Sequence, residues 1–122
     1  ESPNSWTSSD KTAVMLYDSD AWCQIKLSTS FYYDMTKGLS YIHKKSNMKK
    51  VPQDKPILFM YGSEDPVGNY GKTIKKLIKI YLKNGVQDIE EFTYEGLRHE
   101  PLNETKHEEV EHDILEWICK KL

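Results

Sequence analysis

Two side chains in this sequence have the type and the setting for proton-transfer chemistry, Asp65 and His99. Each follows a short strand-like run that ends at a glycine: Ile57 to Tyr61 before Gly62, and Ile89 to Tyr94 before Gly96. If the two runs are neighbouring parallel strands, both loops leave the same edge of the sheet and the side chains can meet. A carboxylate accepting from the imidazole Nδ1–H fixes the tautomer and leaves Nε2 free as a general base. That is the acid–base pair of a nucleophile–histidine–acid triad, with the acid ahead of the histidine in the chain. Taken singly, the two residues have plainer readings, a turn or N-cap aspartate and a surface histidine.

Other side chains with chemical potential have ordinary uses. Lys72, Lys75, Lys76, Lys79 and Lys83 fall at helical spacing and read as the wet face of an amphipathic helix. His107 with Glu111, and Glu108 with His112, stand four apart as zinc ligands can, but neither pair has a third ligand nearby. His43 lies among lysines and reads as a surface residue. Ser63, next to the acid, reads as a turn cap. Trp6, Trp22 and Trp117 read as packing anchors, with the option of lining an apolar pocket. No cofactor and no metal is called for.

The elements that must position Asp65 and His99 can be read from periodicity. Pro56 and Gly62 bracket an unbroken apolar run, too short for a buried helix, which predicts an interior strand. A helix over about 69–84 follows, with Ile74, Leu77, Ile78 and Tyr81 on one face and Gly85 as its stop. Then come the strand at 89–94, a loop at 97–101, and a final helix capped by Asn103 or Thr105, carrying Val110, Ile114, Trp117 and Ile118. This alternation predicts right-handed crossover units of a parallel sheet with helices on its faces.

Residues 1–50 do not share that alternation. An extended lead-in carrying Trp6 precedes a helix capped by Ser9 or Asp10 and running to about Tyr17. Ser28 or Ser30 caps a second helix to about Lys44, with Phe31, Met35, Leu39 and Ile42 on one stripe and Gly38 inside it. The two helices read as a separate layer, and 44–55 as a polar connector. The expected division is therefore a helical segment at 1–50 and an α/β segment at 51–122.

With 122 residues, 38% hydrophobic and 30% charged, the chain is one soluble domain's worth of sequence. Seventeen basic against 19 acidic residues leave a net charge of −2, so no overall field favours nucleic acid or an anionic membrane. No apolar run approaches the length of a bilayer crossing. Cys23 and Cys119 stand in no metal-like spacing and read as free thiols, and no signal-peptide pattern opens the chain, so the expected location is cytoplasmic. The chain opens at Glu1 without an initiator methionine, which predicts a piece of something longer.

Residues 55–122 resemble the carboxyl-terminal part of the α/β-hydrolase superfamily, in particular the monoacylglycerol lipase and lysophospholipase-like serine hydrolases. The resemblance rests on the run from Pro56 through Asp65-Pro66-Val67-Gly68. It rests equally on Tyr94-Glu95-Gly96-Leu97-Arg98-His99-Glu100 with Leu102-Asn103-Glu104, and on Asp113-Ile114-Leu115-Glu116-Trp117-Ile118. It implies that Asp65 is the triad acid and His99 the triad base, and that residues 1–50 are the rear of a lid over an acyl pocket. The implied substrates are carboxylic esters of the acyl-lipid kind.

The nucleophile is missing. No Gly-x-Ser-x-Gly elbow occurs in the chain, and the nearest approach, Gly38-Leu39-Ser40-Tyr41-Ile42, follows no strand and lacks the last glycine. The expectation is a carboxyl-terminal portion of a serine hydrolase, inactive alone, whose partner is its own amino-terminal half. Without that half, the strand at 57–61 exposes an edge through which copies can self-associate. The other class of function left open is a non-catalytic α/β binding or assembly module.

Overall fold

The computed structural model describes residues 2–122. Helix α1 (Lys11–Ser19), helix α2 (Thr29–Ile42) and the one-turn helix α3 (Lys45–Met48) precede strand β1 (Ile57–Gly62). Helix α4 (Lys72–Lys83) joins β1 to strand β2 (Ile89–Tyr94), and a 3-10 turn at Pro101–Asn103 leads to helix α5 (His107–Lys121). The two strands pair in parallel, with Ile57 opposite Ile89 and Gly62 opposite Tyr94. A parallel pair needs a crossover, and α4 supplies it.

Strand alternation decides which helix covers which face. Phe59 meets Tyr81 of α4 at a ring separation of 6.1 Å. Met60 and Phe92 face the other way, onto Tyr94, Leu97, Val110 and Ile114. One helix therefore lies on each face of the pair, and Val110 of α5, with no exposed surface, is the centre of the core. The far end of α5 is tied to the start of β2. There the Trp117 indole donates to Glu90 (3.0 Å) and the Lys121 ammonium bonds Asp88 (2.7 Å) and Glu90 (2.8 Å). Truncating Val110 to alanine removes two methyl groups from a fully buried site. The expected loss is about 2 kcal/mol of stability, read as a lowered denaturant midpoint at unchanged slope.

Local chemistry accounts for the helix ends, including two that differ from expectation. Asp10 caps α1, its carboxylate accepting from Thr12 N (2.8 Å), and Ser28 caps α2 through Phe31 N (3.2 Å). Helix α4 begins three residues later than its periodicity predicts. Asn69, Tyr70 and Gly71 all take positive φ (49°, 54° and 77°), and a left-handed turn cannot belong to a right-handed helix. Neither Asn103 nor Thr105 caps α5, which starts at His107 with no side-chain cap. Pro101 instead opens the 3-10 turn, Asn103 donates its side-chain amide to Glu100 (2.7 Å), and Glu104 is drawn inward. The expected connector also contains α3, which buries Met48.

β1 pairs on one side among the described residues, leaving its other edge open, and Ile57 to Met60 stay half-buried. One further expectation is corrected. The lead-in is turned rather than extended, with Ser5 N on Ser2 O (3.1 Å) and Thr7 N on Asn4 O (3.0 Å). The α2 stripe forms as read, but no residue of that helix is buried, Phe31, Met35, Leu39 and Ile42 included. No helix among the described residues is long and apolar enough to cross a membrane.

Candidate active site

The acid turn is built by β1 running out at Gly62. Asp65 N bonds back to Gly62 O (3.2 Å), and Tyr70 N closes the turn onto Asp65 O (2.8 Å). The Asp65 side chain folds over its own loop, Oδ1 accepting from Val67 N at 2.8 Å, an Asx turn. Gly68 makes room for the other oxygen, since a Cβ there would lie 2.8 Å from Oδ2. The carboxylate is buried, with Asp65 only 5% exposed. A buried carboxylate needs its oxygens satisfied, and one of the donors it finds is an imidazole.

The histidine loop is stitched to the acid turn along its whole approach. Ser63 N donates to Tyr94 O (2.9 Å) and Glu64 N to Leu97 O (2.9 Å). The Ser63 hydroxyl accepts from Gly96 N (2.9 Å). Ser63 thus caps a turn, as expected, but the turn belongs to the neighbouring strand. The backbones touch at Gly62, where an added Cβ would sit 2.0 Å from Leu97 O. Only glycine permits that approach.

The result is that Asp65 and His99 come together. His99 Nδ1 lies 3.1 Å from Asp65 Oδ1. An ionised carboxylate only accepts, so the shared proton sits on Nδ1 and the neutral ring presents a bare Nε2. Nε2 has no partner among the described residues, and the side chain keeps 37% of its surface exposed. The arrangement can take a proton from a group approaching through solvent, hold the imidazolium against a buried anion, and return the proton.

A second set of contacts, across some 95 positions of sequence, holds the loop from behind. His99 N donates to Trp6 O (3.4 Å) and Glu100 N to Thr7 O (2.8 Å). The Trp6 ring stands 5.2 Å from the imidazole, tilted by 45°. The Arg98 guanidinium bonds the carbonyls of Ser5 and Ser8. Glu104, 1% exposed, takes Arg98 N (2.7 Å) and Ser9 N (2.9 Å) on Oε1 and the Ser9 hydroxyl (2.5 Å) on Oε2. Burial pushes its pKa up, but the Ser9 hydroxyl, the Arg98 and Ser9 amides and the Ser8 hydroxyl together bring it below the usual 4.5. The carboxylate therefore contributes stability above that value, and the contribution is lost as pH falls through its depressed pKa. Sequence reading missed Ser9, Arg98 and Glu104 in this role. The one available signal was an Arg and a Glu flanking the histidine in a loop with no other use for them.

The remaining candidates stay apart from this centre. Ser40 lies on exposed helix α2, with no turn around it. The five lysines of α4 are exposed. His43 is exposed and its Nδ1 lies against Leu39 O (2.7 Å), while His107 Nδ1 faces Glu104 O (3.0 Å). Among the described residues, His112, Asp113 and Glu116 bring ligand atoms within 4.8 Å of one another on α5, a set that includes neither expected pair. Cys23 and Cys119 are free and exposed. Trp22 is exposed and Trp117 half-buried.

Residues 1–106 match the family model described as serine aminopeptidase, S33. A highly thermostable carboxyl esterase from Bacillus coagulans, solved with glycerol, superposes with a TM-score of 0.83 at 29% identity. The match covers 98% of this chain and 39% of that one. A lipase in its open form superposes at 0.82 with 26% identity, over 94% of this chain and 37% of that one. The chain thus spans under two-fifths of the length of either structure while sharing its α/β fold throughout. No curated protein matches it.

Proposed function

Since the chain belongs to the serine aminopeptidase, S33, family of α/β hydrolases, we propose that Asp65 and His99 are the acid and base of a serine hydrolase of carboxylic esters. The observation that carries this reading is the Asp65 Oδ1 to His99 Nδ1 contact at 3.1 Å, made by a buried carboxylate to an imidazole whose Nε2 is open. In the reaction, Nε2 takes the proton of a serine hydroxyl as its oxygen attacks the ester carbonyl. The imidazolium, steadied by Asp65, gives that proton to the departing alcohol. Water then repeats the cycle on the acyl-enzyme and releases the acid. Acyl-lipid esters of the monoacylglycerol or lysophospholipid kind are the proposed substrates. The uncovered stripe of α2 with Trp22 fits a cover over an acyl chain, and one of the similar structures is a lipase.

The serine and its oxyanion-hole amides lie outside these residues, so the chain is inactive alone. Its proposed partner is the amino-terminal portion of the same hydrolase, paired with the open edge of β1. Self-association is the competing use of that edge. Free, exposed thiols at Cys23 and Cys119 fit a cytoplasmic location. The test mixes this chain with a polypeptide carrying the strand–Gly-x-Ser-x-Gly–helix portion and follows a short p-nitrophenyl ester. Turnover is expected from the mixture and from neither piece alone. Pieces that associate yet leave the ester intact would contradict the enzyme reading and favour a non-catalytic assembly module.

A further inference from the structure

The enzyme reading gives Glu104 no task, yet its carboxylate is the most deeply buried ionisable group described, with 1% of its surface exposed. Among the described residues no basic side chain pairs with it. Its donors are backbone amides and serine hydroxyls, chiefly Arg98 N, Ser9 N and Ser9 Oγ, with the Ser8 hydroxyl beside them. A buried carboxylate keeps its charge only where such donors are aimed at it, and here they come from two segments remote in sequence. What it achieves is geometric. One oxygen, Oε1, takes the amide of the residue just before His99 together with the amide of Ser9, so the loop and the turned segment at 5–9 share a single anchor. From that anchor the segment presents Trp6 O to His99 N and Thr7 O to Glu100 N, and it sets the Trp6 ring beside the imidazole. Three consecutive amides, 98 to 100, are thereby fixed from one side, while Asp65 fixes the ring from the other.

We propose that Glu104 is a positioning residue: it clamps the segment at 5–9 to the histidine loop, and so holds the His99 imidazole in register with Asp65. The proposal rests on the reading of Asp65 and His99 as a pair, so the test must separate the two. The imidazole nitrogen resonances of His99 in the 122-residue chain do so, because they report which nitrogen of the neutral ring carries the proton. The native chain shows the Nδ1–H form, and Asp65→Asn abolishes that preference while leaving the amide resonances of Ser9 and Arg98 in place. Glu104→Ala lowers the ratio of Nδ1–H to Nε2–H about tenfold, with the β1–β2 amide resonances unmoved.

Two milder variants separate reach from charge and decide the matter should the alanine variant fail to fold. Glu104→Gln keeps an acceptor at the same reach and retains most of the native ratio. Glu104→Asp keeps the charge but withdraws it by one methylene, and falls towards the alanine value. A folded Glu104→Ala with the native ratio overturns the proposal, as does Glu104→Asp behaving better than Glu104→Gln. A native chain that itself lacks the Nδ1–H form overturns the reading of the pair instead.

Discussion

Replacing His99 by alanine in the assembled hydrolase is expected to lower kcat for ester hydrolysis by about 10⁴-fold or more, with KM little changed. In the proposed mechanism the imidazole touches substrate chemistry only through a proton in flight, so its loss would remove transition-state stabilisation and leave ground-state binding alone. Its ring is partly exposed and its backbone amide stays bonded to Trp6 O, so the fold should survive the change. Asp65→Asn should cost a comparable factor, about 10³ to 10⁴, for a different reason. An amide in place of the buried carboxylate can turn a donor towards Nδ1, which moves the ring proton to Nε2 and blocks the base. Steady-state kinetics on both variants, with circular dichroism as the control for folding, check the prediction. A loss under tenfold in either would mean that proton transfer runs elsewhere.

The second large effect is expected at a residue with no chemistry at all. Gly62→Ala places a Cβ 2.0 Å from Leu97 O, 2.2 Å from Leu97 C and 2.4 Å from Arg98 O. All three are backbone atoms and cannot swing aside as a side-chain tip can. Either the end of β1 or the histidine loop must move by about an ångström, and displacements of that size cost about 10² in rate when they fall on a catalytic group. The strain itself should cost about 2–3 kcal/mol. A denaturant series and kcat measured on the same variant check both parts. Native stability with native turnover would show that the two loops are not held in contact through Gly62.

Both predictions lean on contacts of unequal legibility. Where one short stretch decides the structure, sequence was enough. The Ile89–Tyr94 strand and the stop at Gly85 follow from alternation and from a single residue with one strong preference, while each of the first two helix starts narrows to a pair of candidate caps, of which Asp10 and Ser28 are used. Asp65 and His99 could be paired on topology alone, because parallel neighbours deliver their loops to one edge. Reading failed where a residue went against its own propensity. Asn69 and Tyr70 accept left-handed backbone within a turn that also closes onto Asp65 O, which delays α4. It also failed where the decisive partner was remote. Nothing local to Glu104 announces that it answers Ser9, and nothing in a run of serines announces that it carries the carbonyls that hold Arg98, His99 and Glu100.

The most direct test of the account is the double variant His99→Ala with Asp65→Ala, measured beside the two single variants in the assembled hydrolase. If the carboxylate works through the imidazole, the double variant is no slower than His99→Ala alone, within about a factor of three. A loss equal to the product of the single losses would show two independent contributions, and the proton relay proposed for this chain would be wrong.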